Sequence, residues 1–161
     1  VFTASRAEKK VRDRLEELGV ECFLPVQTVL RQWTYRKSRV VVPVIAGLVF
    51  VRVGRQEQVK VLQTKGVVAF LRLKGEAGAA VIPDKQMEDF RFLLDFSEEA
   101  VEMTNENIKA GDLVRVVKGS LRGMEGELIR HKGVTKVLVR IDMLGCAMVN
   151  IPASFVEKLN K

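Results

Sequence analysis

Residues 97–108 divide this sequence into two halves that follow different structural patterns. The stretch carries four acidic residues and no base, whereas residues 1–96 have a net charge of +6 and residues 109–161 one of +5. Helix and strand periodicities alternate before the stretch, and short β-prone runs separated by glycine follow it. The sequence therefore predicts two basic domains, 1–96 and 109–161, joined by an acidic linker at 97–108.

The first half is predicted to be an α+β sandwich in which helices pack on one mainly antiparallel sheet. Apolar residues repeat with helical spacing after Ser5, which we expect to cap a helix that ends at Gly19. Another helix is expected at 56–63, and a third should begin after Asp84 as its N-cap. Strands are expected at 20–30, 40–44, 48–53, 67–73 and 81–82.

The second half predicts a small β-barrel. Its β-branched runs at 112–117, 124–130, 135–141 and 146–151 are separated by turn glycines. Short strands at such regular spacing are typical of small closed barrels, here of the SH3-like kind.

The sequence gives no indication of catalysis, and we expect neither an enzyme nor a cofactor. The single histidine, His131, precedes Lys132 and Gly133, so we expect a solvated turn side chain rather than a general base. Cys22 and Cys146 lack metal-ligand spacing and are expected to be free thiols. No apolar run is long enough to cross a bilayer, and we expect a cytoplasmic, monomeric protein without a bound metal.

A window without acidic residues, from Cys22 to Gln56, is the first candidate binding site. Cations interleaved with aromatic rings suit a nucleic-acid strand, because phosphates attract the cations and bases stack on the rings. The alternative is a solvated hairpin whose aromatic side chains cover its own sheet. The candidate nucleic-acid-binding residues are Arg31, Trp33, Tyr35, Arg36, Lys37 and Arg39.

The apolar segment Val40–Val53 is the second candidate. Most of it should be core. A single sheet with helices on one face would, however, leave part of its other face uncovered, and such a patch usually marks a protein-binding surface.

In order and spacing, these segments resemble the NusG family of transcription elongation factors, with an NGN domain followed by a KOW domain. The resemblance covers essentially the whole chain. It rests on Arg6–Val11, Phe23-Leu24-Pro25, Pro43–Val51, Thr64–Leu71, Val81–Asp84 and the glycine-rich KOW segment Lys109–Gly119 continuing to Gly126.

The resemblance implies that the first domain sits on the clamp helices of RNA polymerase through an open apolar hollow lined by Phe2, Leu48 and Phe50. It also implies that the 31–39 hairpin lies beside upstream or non-template DNA. The KOW barrel would recruit a small-subunit ribosomal protein or the termination factor Rho. By motif position, its contact residues are Leu121, Met124, Met143 and Leu144.

One departure from the family pattern and one closer resemblance refine this expectation. The usual Pro-Gly-Tyr of the sheet motif is Ala46-Gly47-Leu48, and the segment 27–38 resembles specialised (UpxY-like) paralogues of Bacteroidetes-type bacteria. Those paralogues are antiterminators dedicated to surface-polysaccharide operons. We therefore expect a factor that suppresses pausing and termination at particular operons. The alternatives are a housekeeping NusG and a ribosomal or RNA-binding protein of the KOW type.

Overall fold

The protein folds into two compact units, Val1–Val81 and Ile82–Lys161. A computed structural model describes residues 1–33 and 36–159, with the backbone alone at 31–33. In the described residues, three helices and several antiparallel strand pairs confirm the predicted α+β class.

The first unit alternates short strands with two helices. In chain order its elements are β1 (Phe2–Thr3), α1 (Glu8–Glu17), β2 (Glu21–Phe23), β3 (Val26–Trp33), β4 (Arg36–Pro43), β5 (Phe50–Arg52), α2 (Arg55–Leu62) and β6 (Val67–Ala69).

Strand β1 connects the short strand pairs of this unit. It runs antiparallel to β6 on one side. On its other side the backbone of Thr3 donates to Gly47 and that of Val49 to Val1, at 2.9 and 3.0 Å. The segment 47–49 leads directly into β5, which pairs with β2. Four extended segments thus follow one another as β6, β1, 47–52 and β2.

The helices cover one face of these segments. Side chains alternate between faces along a strand, so Val1, Val49 and Val51 share the face opposite to Leu48 and Phe50. The core cluster on the helix-covered face consists of Val1, Val11, Leu15, Val20, Leu24, Val49 and Val61.

Helix α1 begins later than the sequence indicates. Its N-cap position is Ala7, without a side-chain cap, and Arg6 has a φ of 59°. The predicted Ser5 cap is therefore wrong, because the left-handed turn at Arg6 separates Ser5 from the helix. The predicted strand at 81–82 is absent, since these residues are not extended in a ladder, and the third helix starts at Asp84 with Pro83 in the cap position.

The second unit is built around a six-stranded antiparallel sheet with the strand order β12-β8-β9-β10-β11-β7. Its elements are α3 (Asp84–Phe96), β7 (Glu102–Thr104), β8 (Asp112–Val116), β9 (Glu125–His131), β10 (Val134–Ile141), β11 (Gly145–Asn150), a 3₁₀ turn (Ala153–Phe155) and β12 (Val156–Lys158).

Helix α3 and the predicted acidic linker both contribute to this second unit. The Gln86 side chain donates to the Asp142 carboxylate at 2.9 Å and accepts from the Asp142 backbone N–H at 2.7 Å. This reciprocal pair fixes α3 to the turn after β10. Strand β7 lies inside 97–108, so part of the stretch expected to be a linker is extended and paired with β11.

A network around Arg140 holds the start of the six-stranded sheet. Its Nε donates to Glu127 Oε2 at 2.7 Å, and its Nη2 donates to the carbonyl of Ile108 at 2.8 Å. Glu127 in turn accepts from the Gly111 backbone at 3.1 Å. Because these groups are partly buried, the charge-assisted bonds fix where the chain enters β8.

Candidate functional site

The face of the first unit that its helices do not cover carries apolar side chains on neighbouring strands. Phe2 stands opposite Ala69 on β6 and forms a bridge with Leu48. Phe23 stands opposite Phe50, and their rings stack with centroids 6.1 Å apart. Opposed residues in antiparallel strands share a face, so these side chains form one continuous apolar row.

The three expected contact residues differ in exposure. Phe2 is 41% exposed, whereas Leu48 is 3% and Phe50 9% exposed. The structure therefore differs from the open hollow expected from the sequence, since Leu48 and Phe50 are interior residues and Phe2 alone presents a large surface. Part of the reason is local, because Phe23 stacks on Phe50.

Beside Phe2, strand β6 contains an irregularity that raises local exposure. Phe2 pairs with Ala69 and Thr3 with Val67, so Val68 is an additional residue in the ladder. Val68 is 65% exposed. A bulge at a sheet edge re-aims its side chains, and here it places a second accessible apolar residue next to Phe2 in the strand register.

Strands β3 and β4 form a long antiparallel hairpin, and their pairing reaches Trp33 and Arg36, further into 31–39 than the predicted strands 20–30 and 40–44. Their register runs from Val26 opposite Pro43 to Trp33 opposite Arg36. The base of the hairpin is held by a Val44 backbone bond to Pro25 at 2.8 Å, and by Lys9 Nζ donating to the Val41 carbonyl at 3.0 Å.

Three of the expected cations, Arg36, Lys37 and Arg39, lie on β4 and are exposed. Alternation along the strand puts Lys37 and Arg39 on one face and Arg36 on the other. Arg31 and Trp33 belong to β3, where the backbone alone is described, and Tyr35 lies outside the described residues. No acidic residue occurs between Cys22 and Gln56, so the hairpin has no carboxylate of its own to neutralise these charges.

The four candidate partner-binding residues of the second unit fall into two groups. Leu121 and Met124 are buried, at 6% and 4% exposure, so they support the loop after β8 from beneath rather than presenting a surface. Met143 is 39% exposed in the turn between β10 and β11, with Leu144 partly buried beside it. Met143 adopts a φ of 72°, a left-handed conformation that is uncommon for a side chain of this size.

The expectation for His131 is wrong. Its side chain is 12% exposed, and Nε2 lies 3.1 Å from Glu106 Oε2. The ring is shielded because His131 ends β9 opposite Val134 and because the chain around Glu106 lies against it. The Nδ1 atom is buried without a hydrogen-bond partner.

The two cysteines, Cys22 and Cys146, are free thiols that are partly or fully buried. Burial raises the pKa of the Cys22 thiol in the first unit. It also raises the pKa of the Cys146 thiol in the second unit, where the side chain is buried. Within residues 1–33 and 36–159, no group of three acidic, cysteine or histidine side chains could hold a metal ion. In the same part of the chain, no helix has the length and apolarity needed to span a bilayer.

A family model described as "Transcription termination factor nusG" matches residues 1–91, more than half of the 161 residues. The chain belongs to the NusG family. This family consists of transcription factors rather than enzymes, in agreement with the non-catalytic expectation.

One solved structure shows a similar fold. The structure described as "Domain interaction in Thermotoga maritima NusG" is 23% identical, covers 99% of this chain and 95% of its own, and superposes with a TM-score of 0.51. The "MjSpt4:Spt5 complex conformation B" structure is 17% identical, covers 100% of this chain and 95% of its own, and has a TM-score of 0.23, too low to support an argument. No curated protein matches the chain.

Sequence reasoning missed a set of ion pairs on the second unit. Glu102 pairs with Lys136 at 2.6 Å, and Glu106 with His131 at 3.1 Å. The sequence carries one indication of these pairs. Both acids lie in a stretch without a base, so a basic partner must come from elsewhere in the chain. Their charge is typical of a solvated linker, and the basic partners lie 25 and 34 residues away along the chain.

Proposed function

We propose that this protein is an RNA polymerase-binding elongation factor that suppresses pausing and termination, dedicated to particular operons in the cytoplasm. Membership of the NusG family carries the proposal. The segment 27–38 supports the operon-specific form, through its resemblance to specialised paralogues.

The apolar row of the first unit is the proposed polymerase-binding surface. Phe2 supplies the accessible apolar area of the row at 41% exposure, and Val68, at 65% exposure, precedes the Phe2 partner Ala69 on β6. Leu48, which bridges to Phe2, and Phe50 are the buried members of the row. Such a row, on the sheet face opposite to the one that α1 and α2 cover, suits docking onto an apolar helical surface, such as the polymerase clamp helices.

Binding would act on transcription by shifting the populations of polymerase states. A factor that prefers the closed clamp lowers the population of the open, pause-prone state by its differential affinity. A preference of about 1.4 kcal/mol changes that ratio tenfold, which a few buried contacts can supply.

The β3–β4 hairpin is the proposed contact for upstream or non-template DNA. Arg36, Lys37 and Arg39 are exposed and lie in a segment without acids. Their phosphate contacts would be salt-sensitive and would provide affinity. Trp33 and Tyr35 would stack on unpaired bases and provide sequence preference.

Residues 109–161 of the second unit are the proposed recruiting module, a KOW domain for a small-subunit ribosomal protein or Rho. The turn at Met143 and Leu144 is the more accessible part of the expected contact set, whereas Leu121 and Met124 are buried in the loop between β8 and β9.

The test is equilibrium binding of the full chain to purified bacterial core RNA polymerase, comparing wild type with Phe2→Ser. Phe2 is a better probe than Leu48 or Phe50, because truncating a buried residue also lowers folding stability. We expect the dissociation constant to rise about tenfold, equivalent to about 1.4 kcal/mol. Terminator read-through should fall in parallel.

The matched control is Val59→Ser on α2. Val59 is 58% exposed, so the same apolar-to-polar change there removes accessible area from a helix instead of from the proposed surface. The control should change polymerase affinity by less than about twofold. Equal affinities for wild type and Phe2→Ser would refute polymerase docking through this row.

A further inference from the structure

Residues 101–108 form a strap that includes β7, the strand at one end of the six-stranded sheet next to β11. Within it β7 pairs antiparallel with β11, from Glu102 opposite Met148 to Thr104 opposite Cys146. Val101 is 6% exposed, and Ile108 packs against the cluster of Leu138, Cys146 and Met148.

Two carboxylates of the strap meet two basic groups of the sheet. Glu102 Oε2 lies 2.6 Å from Lys136 Nζ, and Glu106 Oε2 lies 3.1 Å from His131 Nε2. The Lys136 and His131 side chains are 11% and 12% exposed, whereas those of Glu102 and Glu106 are 47% and 58% exposed. The basic groups are therefore enclosed by the fold, and the acidic groups lie at its surface.

The edge itself is shaped to receive another backbone. Gly145 begins β11, and a Cβ atom there would collide with the Thr104 carbonyl oxygen. Glycine at this position lets the strap backbone approach closely. Cys146 and Met148 of β11 then pair with Thr104 and Glu102 of β7.

The strap is held at its ends by buried Val101 and by Ile108, and by two ion pairs, whereas its strand is short. Its paired portion, Glu102–Thr104, is three residues long. The addition of an extended peptide to an exposed sheet edge is a common mode of recognition, in which main-chain hydrogen bonds supply affinity. The same groups that hold the strap could thus hold another chain with matching chemistry.

We infer that the β11 edge is a binding site for an extended acidic peptide, and that β7 is its intramolecular occupant. The site takes a segment that adds a strand to β11 and places two carboxylates four residues apart, one on Lys136 and one on His131. This binding function is independent of polymerase docking by the first unit.

The intramolecular strap sets the apparent affinity for an external peptide. A tethered segment has an effective concentration in the millimolar range, so an outside peptide binds only to the fraction of molecules with an open edge. Weakening the strap should therefore tighten peptide binding without any change in the receptor groups.

The experiment uses a fluorescein-labelled peptide with the sequence of residues 100–109 and measures its anisotropy with the full chain. The variant Glu102→Lys/Glu106→Lys repels the strap from Lys136 and His131 and leaves the edge intact. The control Glu98→Lys/Glu99→Lys makes the same change in net charge on exposed acids outside the strap. We expect the strap variant to bind the peptide at least ten times more tightly than wild type, and the control to match wild type.

Hydrogen exchange of the amides at 146–148 provides the second readout. They should exchange faster in the strap variant and regain protection when the peptide is added. If the double lysine variant unfolds, Glu102→Gln/Glu106→Gln is judged by the same affinity and exchange criteria.

A peptide of the same composition with adjacent carboxylates tests the spacing. It should bind the strap variant at least ten times more weakly than the native sequence. Equal binding of the two peptides, or no gain in affinity when the strap is weakened, would overturn the inference.

Discussion

Replacing the three exposed cations of β4 should reduce the salt dependence of single-stranded DNA binding by a calculable amount. The variant Arg36→Gln/Lys37→Gln/Arg39→Gln removes them while keeping polar side chains on the strand. Each phosphate contact to single-stranded DNA contributes about 0.7 to the slope of log K against log salt. Three lost contacts therefore lower the slope by about 2, and a fourfold rise in salt weakens wild type about 20-fold more than the variant.

The assay is fluorescence anisotropy of a labelled single-stranded oligonucleotide between 50 and 200 mM salt, at about 25 °C. The control variant Lys10→Gln/Arg72→Gln/Lys74→Gln makes an identical charge change at exposed positions of the first unit outside the hairpin. If the hairpin forms the contact, the control keeps the wild-type slope. Equal loss of slope in both variants would show that overall charge governs binding, and would refute the reasoning for the hairpin.

Three further predictions concern folding, each followed by urea unfolding. Leu48→Ala should lower the free energy of unfolding by about 2–5 kcal/mol, because Leu48 is 3% exposed and its truncation leaves a cavity. Gly111→Ala should cost about 1–3 kcal/mol, since a Cβ would collide with a neighbouring strand, while Gly78→Ala, with open space around it, should be neutral or slightly stabilising. The hydrogen bond from Lys136 lowers the pKa of Glu102 below its usual 4.5, so the stability it contributes is present above pH 4.5 and is lost as pH falls through the folded-state value. Glu102→Gln should remove that part of the acid destabilisation, and an unchanged pH profile would contradict the assignment.

The sequence was sufficient to predict the elements whose periodicity is local. Helices α1 and α2 and strands β8 to β11 lie within a few residues of the predicted ranges, because their apolar spacing and turn glycines are read from neighbouring positions. The start of α1 could not be predicted in this way, since arginine is not a residue type that indicates a left-handed turn, and Arg6 adopts one.

Features that depend on distant pairing could not be predicted in this way. In the sequence, Glu102 and Glu106 lie in an acidic stretch with the composition of a solvated linker. In the fold, the register of β9, β10 and β11 places Lys136 and His131 beside them. The burial of Leu48 follows from tertiary packing in the same manner. An apolar residue in a strand can face a core or a partner, and the pattern alone does not distinguish the two.

Site-specific photo-crosslinking from position 2 tests the central claim most directly. A photoreactive phenylalanine analogue replaces Phe2 in one protein and Val59 in another, and each is irradiated with purified core RNA polymerase. The account predicts strong crosslinking from position 2 to the polymerase subunit that carries the clamp helices, and little from position 59. Equal yields from both positions, or no polymerase adduct from position 2, would contradict it.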